Sequence, residues 1–182
     1  MYQELPVNEA YRLLNHGPLI WVSTCSGSGH CNIAPVAWCC PFDMKPTEIL
    51  MVLDSGHQTS KNLKETPGFA VSLPHVSQAD WVRKTGSVSG REKNKFELFS
   101  IPFIETPNMK IRVPEKVIGF MECRVEETID RHGTTLVIGR CLHAAVLKGL
   151  YEERLLVEHP EAKTLHHLGG KRFAFPSDTI LS

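Results

Sequence analysis

Apolar positions along the chain fall in short runs broken by Gly, Pro, Ser and Asn, a pattern of strands rather than long helices. Residues 19–25, 31–39, 48–54 and 69–73 read as strands, with Ser26-Gly-Ser-Gly29 as a turn and Pro41 and Pro46 as breakers. Further on, Val117, Met121, Cys123 and Val125 share one face of a strand while Glu122 and Arg124 take the other. The run 134–148 is long for a strand, and Gly139 in its interior predicts a bend or bulge. Helical signals are few. Asn8 opens a short segment through His16, Thr59 or Ser60 caps one that ends before Pro67-Gly68, and a third lies near 79–84. The stretch from Ser77 to Pro107 is otherwise irregular, with the charged Arg91-Glu-Lys-Asn-Lys95 leading into Phe96-Glu-Leu-Phe99. Six or seven strands without β/α alternation predict one mainly β domain over 1–182, a small antiparallel barrel with helical insertions.

Composition narrows the classes. With 182 residues and 42% apolar content, the chain is long and apolar enough for a core, which excludes disorder as its main state. Lys+Arg and Asp+Glu are equal at 20 each, so the excess positive charge of a general nucleic-acid binder is missing and any anion site is local. No apolar run is long enough to span a bilayer and no signal-peptide pattern follows Met1, so the expectation is a soluble, cytoplasmic protein with no membrane partner. The six cysteines form no C-x-x-C pair and read as ordinary thiols of a reducing compartment, with no metal site.

Three segments carry candidate chemistry. In Asp54-Ser-Gly-His-Gln-Thr-Ser-Lys-Asn-Leu63, a strand gives way to a helix start that is either an ordinary cap or an anion site. It has neither the Walker pattern nor a dinucleotide fingerprint. In Asn32-Ile-Ala-Pro-Val-Ala-Trp38, Pro35 belongs on an edge strand or at a break in pairing, where backbone groups are free for a ligand and Trp38 can flank a planar ring. The alternative is an edge strand with a core tryptophan. Lys93-Asn-Lys-Phe96 is a solvated loop, or the counter-charge for an anion. The nine histidines show no metal-protease spacing, and no Ser-His-Asp or paired-carboxylate signal is legible.

Taken in order, these segments resemble the flavin reductase-like FMN-binding split-barrel family, especially its flavoredoxin branch. The match rests on Asn32-x-Ala-Pro-x-x-Trp38 and His57-x-Thr-x-x-Asn-Leu63, with Lys95-Phe96, Gly119-x-x-Glu-Cys-x-Val125, Ile138-Gly-Arg140 and His167-x-Gly-Gly170. The resemblance implies a homodimer of six-stranded antiparallel Greek-key split β-barrels with FMN held noncovalently. It implies that Asn32 and the backbone of Ala34, Pro35 and Val36 touch the isoalloxazine, with Trp38 beside it. Thr59 and Ser60 would take the phosphate, Lys95 would supply charge, and His132 and Phe173 would come from later elements. Asp130-Arg-His-Gly133 departs from the Gly-Asp-His order of family members that act as flavin reductases, which bears on nicotinamide more than on flavin.

The expected activity is an FMN-dependent oxidoreductase passing electrons from NAD(P)H or a redox protein to an acceptor, with no catalytic side chain assigned. Two alternatives stand beside it: a flavin-binding electron carrier, and a non-flavin small-ligand module on the same barrel.

Overall fold

A computed structural model describes residues 2–13 and 17–179. The strands are β1 (Tyr2–Leu5), β2 (Ile20–Cys25), β3 (Cys31–Val36), β4 (Cys39–Met44), β5 (Thr47–Asp54), β6 (Gly68–Leu73), β7 (Phe103–Glu105), β8 (Arg112–Pro114), β9 (Gly119–Arg131), β10 (Thr134–Leu147), β11 (His166–Gly169) and β12 (Arg172–Ala174). Three α-helices interrupt them: α1 (Gln58–Glu65), α2 (Ala79–Ser87) and α3 (Lys95–Leu98). The expected opening helix is a 3-10 turn, Val7–Leu13, and positions 14–16 lie outside the described residues. No helix among the described residues is long and apolar enough to cross a membrane.

The main sheet runs β3-β2-β6-β9-β10-β5-β4, with β1 paired to β10. All its pairings are antiparallel. The sheet curls into the expected split barrel without closing, its six central strands supplemented by β1 and β4. Its inner face is lined by the buried side chains of Val22, Ile49, Met51, Phe69, Val71 and Met121. Trp21, Ile33, Val82 and Phe96 form a second cluster that fixes α2 and α3 against the outside of β2 and β3.

Several local expectations hold. β3 is a terminal strand of the main sheet, and Pro35, which lacks an N–H, pairs only in register with Trp21. The register of β9 on β10 shifts between Ile138 and Gly139, the expected bulge. A side chain at Gly139 would sit 2.3 Å from the Phe69 ring, so the close packing of that ring requires glycine there. Cys39 faces inward and Cys40 is exposed, as adjacent strand residues must be.

Four expectations are corrected. The run 31–39 breaks at Ala37–Trp38, and Pro41 lies within β4 rather than ending a strand. The α1 helix begins at Gln58 with His57 as N-cap, so neither Thr59 nor Ser60 caps it. Cys25 and Cys31 are not free thiols: they sit opposite one another in the β2–β3 register and are joined as a disulfide. Glu122, placed by alternation on the polar face of β9, is fully buried because the segment around β7 and β8 wraps over that face. Its carboxylate accepts hydrogen bonds from Thr106 Oγ1 (2.6 Å), Met109 N (2.5 Å), Asn108 Nδ2 (2.7 Å) and Asn108 N (3.2 Å). Burial alone would raise its pKa, but these bonds together hold it below the usual value.

Candidate functional site

The site forms at the split, where the end of β3 faces β5 and the start of α1. Trp38 O accepts a hydrogen bond from Val52 N (2.9 Å), which ties the chain leaving β3 to β5. Three hollows meet at this point, and Pro35 lines all of them.

The first, of about 270 Å³, lies between Asn32, Pro35, Thr59, Gly86, Gly90 and Lys95. Thr59 is buried and its hydroxyl accepts from Asn32 Nδ2 (3.0 Å), so the strand and the helix start are locked together. That bond leaves Asn32 Oδ1 buried and without a hydrogen-bond partner. Such an atom costs about 1–3 kcal/mol unless a ligand or water satisfies it. The opposite wall comes from the segment after α2. His30 Nε2 lies 2.9 Å from Gly90 O, and Arg91 Nη2 donates to Gly56 O. A Cβ at Gly90 would stand 2.0 Å from Asn32 Oδ1, so only glycine lets this segment close on the asparagine.

Charge in this hollow comes from two sources. No side chain caps α1, so the backbone N–H groups of its first turn and the positive end of its dipole remain available to an anion. Lys95 is only 4% exposed, and its Nζ donates to Thr85 O at 2.6 Å with no carboxylate paired to it among the described residues. Burial pulls its pKa down to about 8. Thr85 is held in turn by Trp21 Nε1, which donates to its hydroxyl at 3.0 Å. Core packing thus sets where the lysine ends.

The hollow of about 240 Å³ beside it is bounded by Ala34, Val36, Trp38, Val52, Asp54 and Thr59. Trp38 is 71% exposed, not a core residue, and stands at the edge of this space with its ring available. The third hollow, of about 420 Å³, is lined by Pro35, Val82 of α2 and Phe173 of β12.

The structure therefore brings Asn32, Ala34, Pro35, Thr59 and Lys95 around one hollow, and Val36 and Trp38 around its neighbour. Phe173 lines only the third hollow. Ser60 is buried and donates from its hydroxyl to Asp54 O (2.7 Å), lining none of the three. His132 lines none either. It and Gly133 have φ of 48° and 85°, the two-residue turn joining β9 to β10, and Ser55 N donates to Gly133 O at 2.9 Å. His132 thus shapes the chain beside Asp54 without facing the cavity. Gly86 and Gly90, which complete the first hollow, carry no motif. Their spacing from β3 in sequence gives no local signal, and only the docking of α2 on β3 reveals them.

The residues present fit FMN. An orphaned acceptor, a buried cation and an uncapped helix start are gathered in the first hollow. The neighbouring space offers aromatic and proline walls for a planar ring.

Comparison with known proteins agrees with this geometry. The family model described as the flavin reductase-like domain matches residues 12–166. The uncharacterized protein YddH of Escherichia coli (strain K12) is 31% identical over 173 residues, 93% of this chain and 92% of that protein. An FMN-binding domain of a flavin reductases-like enzyme from Shewanella baltica OS155 superposes with a TM-score of 0.90 at 22% identity, covering 100% of this chain and 97% of the other. Flavoredoxin of Desulfovibrio vulgaris (Miyazaki F) superposes with a TM-score of 0.81 at 16% identity, over 91% of this chain and 90% of its own. The split barrel, the order of its motifs and the extent of the family match lead to one statement: this chain belongs to the flavin reductase-like domain family.

Proposed function

We propose that the protein is an FMN-dependent oxidoreductase that binds the flavin noncovalently, one per chain, and passes electrons from NAD(P)H or a redox protein to an acceptor. The observation that carries this reading is the buried pair of unmatched groups in the first hollow. Among the described residues, Lys95 Nζ lacks a carboxylate partner and Asn32 Oδ1 lacks a hydrogen bond, both beside the uncapped α1 start. A phosphate answers the first, and an N–H or O–H donor on the ligand answers the second.

Bound flavin would supply the electron chemistry; the chain binds and orients it. Lys95 and the first turn of α1 hold the phosphate. Thr59 fixes Asn32 by accepting from its Nδ2, which turns the carbonyl oxygen toward Gly90 in the wall of the hollow. Pro35 contributes a rigid wall and, having no N–H, leaves no unpaired donor there. Trp38 covers the open side and restricts water. Dimerisation belongs to the same proposal and is supported by the exposed Trp38, Phe42 and Met44 near the sheet end formed by β4.

The test is anaerobic mixing of FMN-loaded protein with NADH and with NADPH while following absorbance near 450 nm. Prompt bleaching by either nucleotide is the expected result. A flavin that both leave oxidised, but that dithionite bleaches, would replace the nicotinamide-dependent enzyme with an electron carrier served by a redox protein.

A further inference from the structure

A fourth hollow, of about 570 Å³, lies away from the split, at the C-terminal end of α1. Cys25, Thr66, Gly68, Met109 and Ile111 line it, and among the described residues Arg124 is its one charged lining side chain. Three of these residues stand in a row with Cys31 across the sheet. Cys31 of β3 faces Cys25 of β2; Gly68 of β6 comes one residue beyond the Thr24–Phe69 pair and faces Arg124 of β9. Residues opposite one another in antiparallel register share a face. The Cys25–Cys31 bond therefore lies along this row, and its extension passes over Gly68, which has no side chain, toward Arg124. Cys25 is half-buried and packs in one cluster with Ile111 and Met109, whereas Cys31 is buried and lines no wall of the hollow. One sulfur is open to a reagent and the other is shielded. The Cys25 backbone is held in place, because Thr66 Oγ1 donates to Cys25 O and Ser26 N donates to His30 O (2.9 Å).

We propose that Cys25–Cys31 is an exchangeable disulfide, opened through this hollow by a small thiol that carries a carboxylate. Exchange requires a thiolate to approach one sulfur from the side opposite the sulfur that leaves. For Cys25 that side is the space over Gly68. The thiolate bonds to Cys25 Sγ, the Cys25–Cys31 bond breaks, and its electron pair leaves on Cys31 Sγ, which takes a proton from water. A second thiol then attacks the outer sulfur of the mixed disulfide and releases Cys25 as a thiol. Two small thiols are oxidised to one disulfide, and the protein's disulfide is reduced to two thiols. Arg124 selects the carboxylate: it is exposed, and among the described residues it makes no ion pair. Two acids of this region are engaged elsewhere. Glu122 shares the Arg124 face of β9, but its carboxylate is taken by donors from 106–109, and Glu65 Oε2 accepts from Gly27 N (3.4 Å). This chemistry does not depend on the flavin.

The experiment treats the native, unreduced protein with 3-mercaptopropionate or with the uncharged 2-mercaptoethanol, at matched thiolate concentrations. Acid quenching, alkylation of free thiols and peptide mass analysis then show which cysteine carries the added thiol. The adduct is expected on Cys25, with Cys31 alkylated. Comparing wild type with Arg124→Gln cancels the intrinsic reactivity of the two thiols. The variant should slow mercaptopropionate by about fivefold and leave mercaptoethanol unchanged, and the difference should shrink in high salt. Gly68→Ala, which sets a methyl group on the line of approach, should slow both thiols alike; Met109 Sδ, 2.6 Å from that carbon, ends a flexible side chain and can move aside. An adduct on Cys31, a mercaptopropionate rate indifferent to Arg124→Gln, or reduction seen only after unfolding in urea would each overturn the proposal.

Discussion

Lys95 offers the sharpest physical test of the site, because a buried cation without a counter-ion costs the ligand-free protein stability. Its pKa falls from 10.5 to about 8 through burial, and the side chain is only 4% exposed. The folded protein therefore binds its proton less tightly than the unfolded chain does. Below pH 8 the lysine is charged in both states and the penalty is complete. Between pH 8 and 10.5 the folded state has lost the proton while the unfolded state keeps it, so stability rises with pH. The size follows from the shift, roughly 3 kcal/mol. Lys95→Met removes this term and also removes the hydrogen bond to Thr85 O. That bond adds a nearly pH-independent offset, so the informative quantity is the change with pH rather than the difference at one pH. Urea unfolding of flavin-free wild type and variant should show wild type gaining roughly 3 kcal/mol on the variant between pH 7 and pH 10.5. A difference that stays constant across that range would show that Lys95 is not a desolvated cation, and the phosphate site would lose its main charge.

Three further outcomes follow from the geometry. Gly90→Ala, whose Cβ would meet Asn32 Oδ1 at 2.0 Å, should push the 86–91 segment off the asparagine and weaken FMN at least about tenfold by fluorescence titration; unchanged affinity would mean that this wall is not part of the site. Glu122→Ala should destabilise the protein by roughly 3 kcal/mol, since it leaves the Thr106, Asn108 and Met109 donors unmatched in a buried place. Because the Glu122 pKa is depressed, its contribution is complete above the ordinary carboxylate range and is lost as pH falls through the lowered value, so the gap between wild type and variant should close in acid. Thiol titration of the unreduced, unfolded chain should count four cysteines, and six only after reduction. In the native protein Cys40 should react first, whereas Cys39, whose pKa burial raises to about 12, should lag. Six thiols without reductant would contradict the Cys25–Cys31 bond.

Much of this fold is readable along the chain because its determinants are local. A continuous apolar run marks β5, alternation marks β9, Pro35 marks an edge, Gly139 marks the bulge, and His132-Gly133 marks a tight hairpin. The errors come from contacts that local pattern does not encode. The Cys25–Cys31 pair depends on the register of β2 on β3, and six residues of sequence separation do not specify it. Glu122 looks like a surface residue until the excursion through β7 and β8 covers it. The candidate site divides in the same way. Asn32, Thr59 and Lys95 lie in recognisable segments and converge, whereas Gly86 and Gly90 reach the site only because α2 packs on β3. Ser60 illustrates the limit of a segment reading: it sits one residue from Thr59, yet its hydroxyl is spent on Asp54 O.

The central claim is that a flavin phosphate sits between the α1 start and Lys95. Parallel fluorescence titrations of the flavin-free protein with FMN and riboflavin test it most directly. The account predicts one FMN per chain, bound at least about tenfold more tightly than riboflavin, with Thr59→Ala/Lys95→Ala erasing most of that preference. Equal affinity for the two flavins, or no binding of FMN at all, would contradict it.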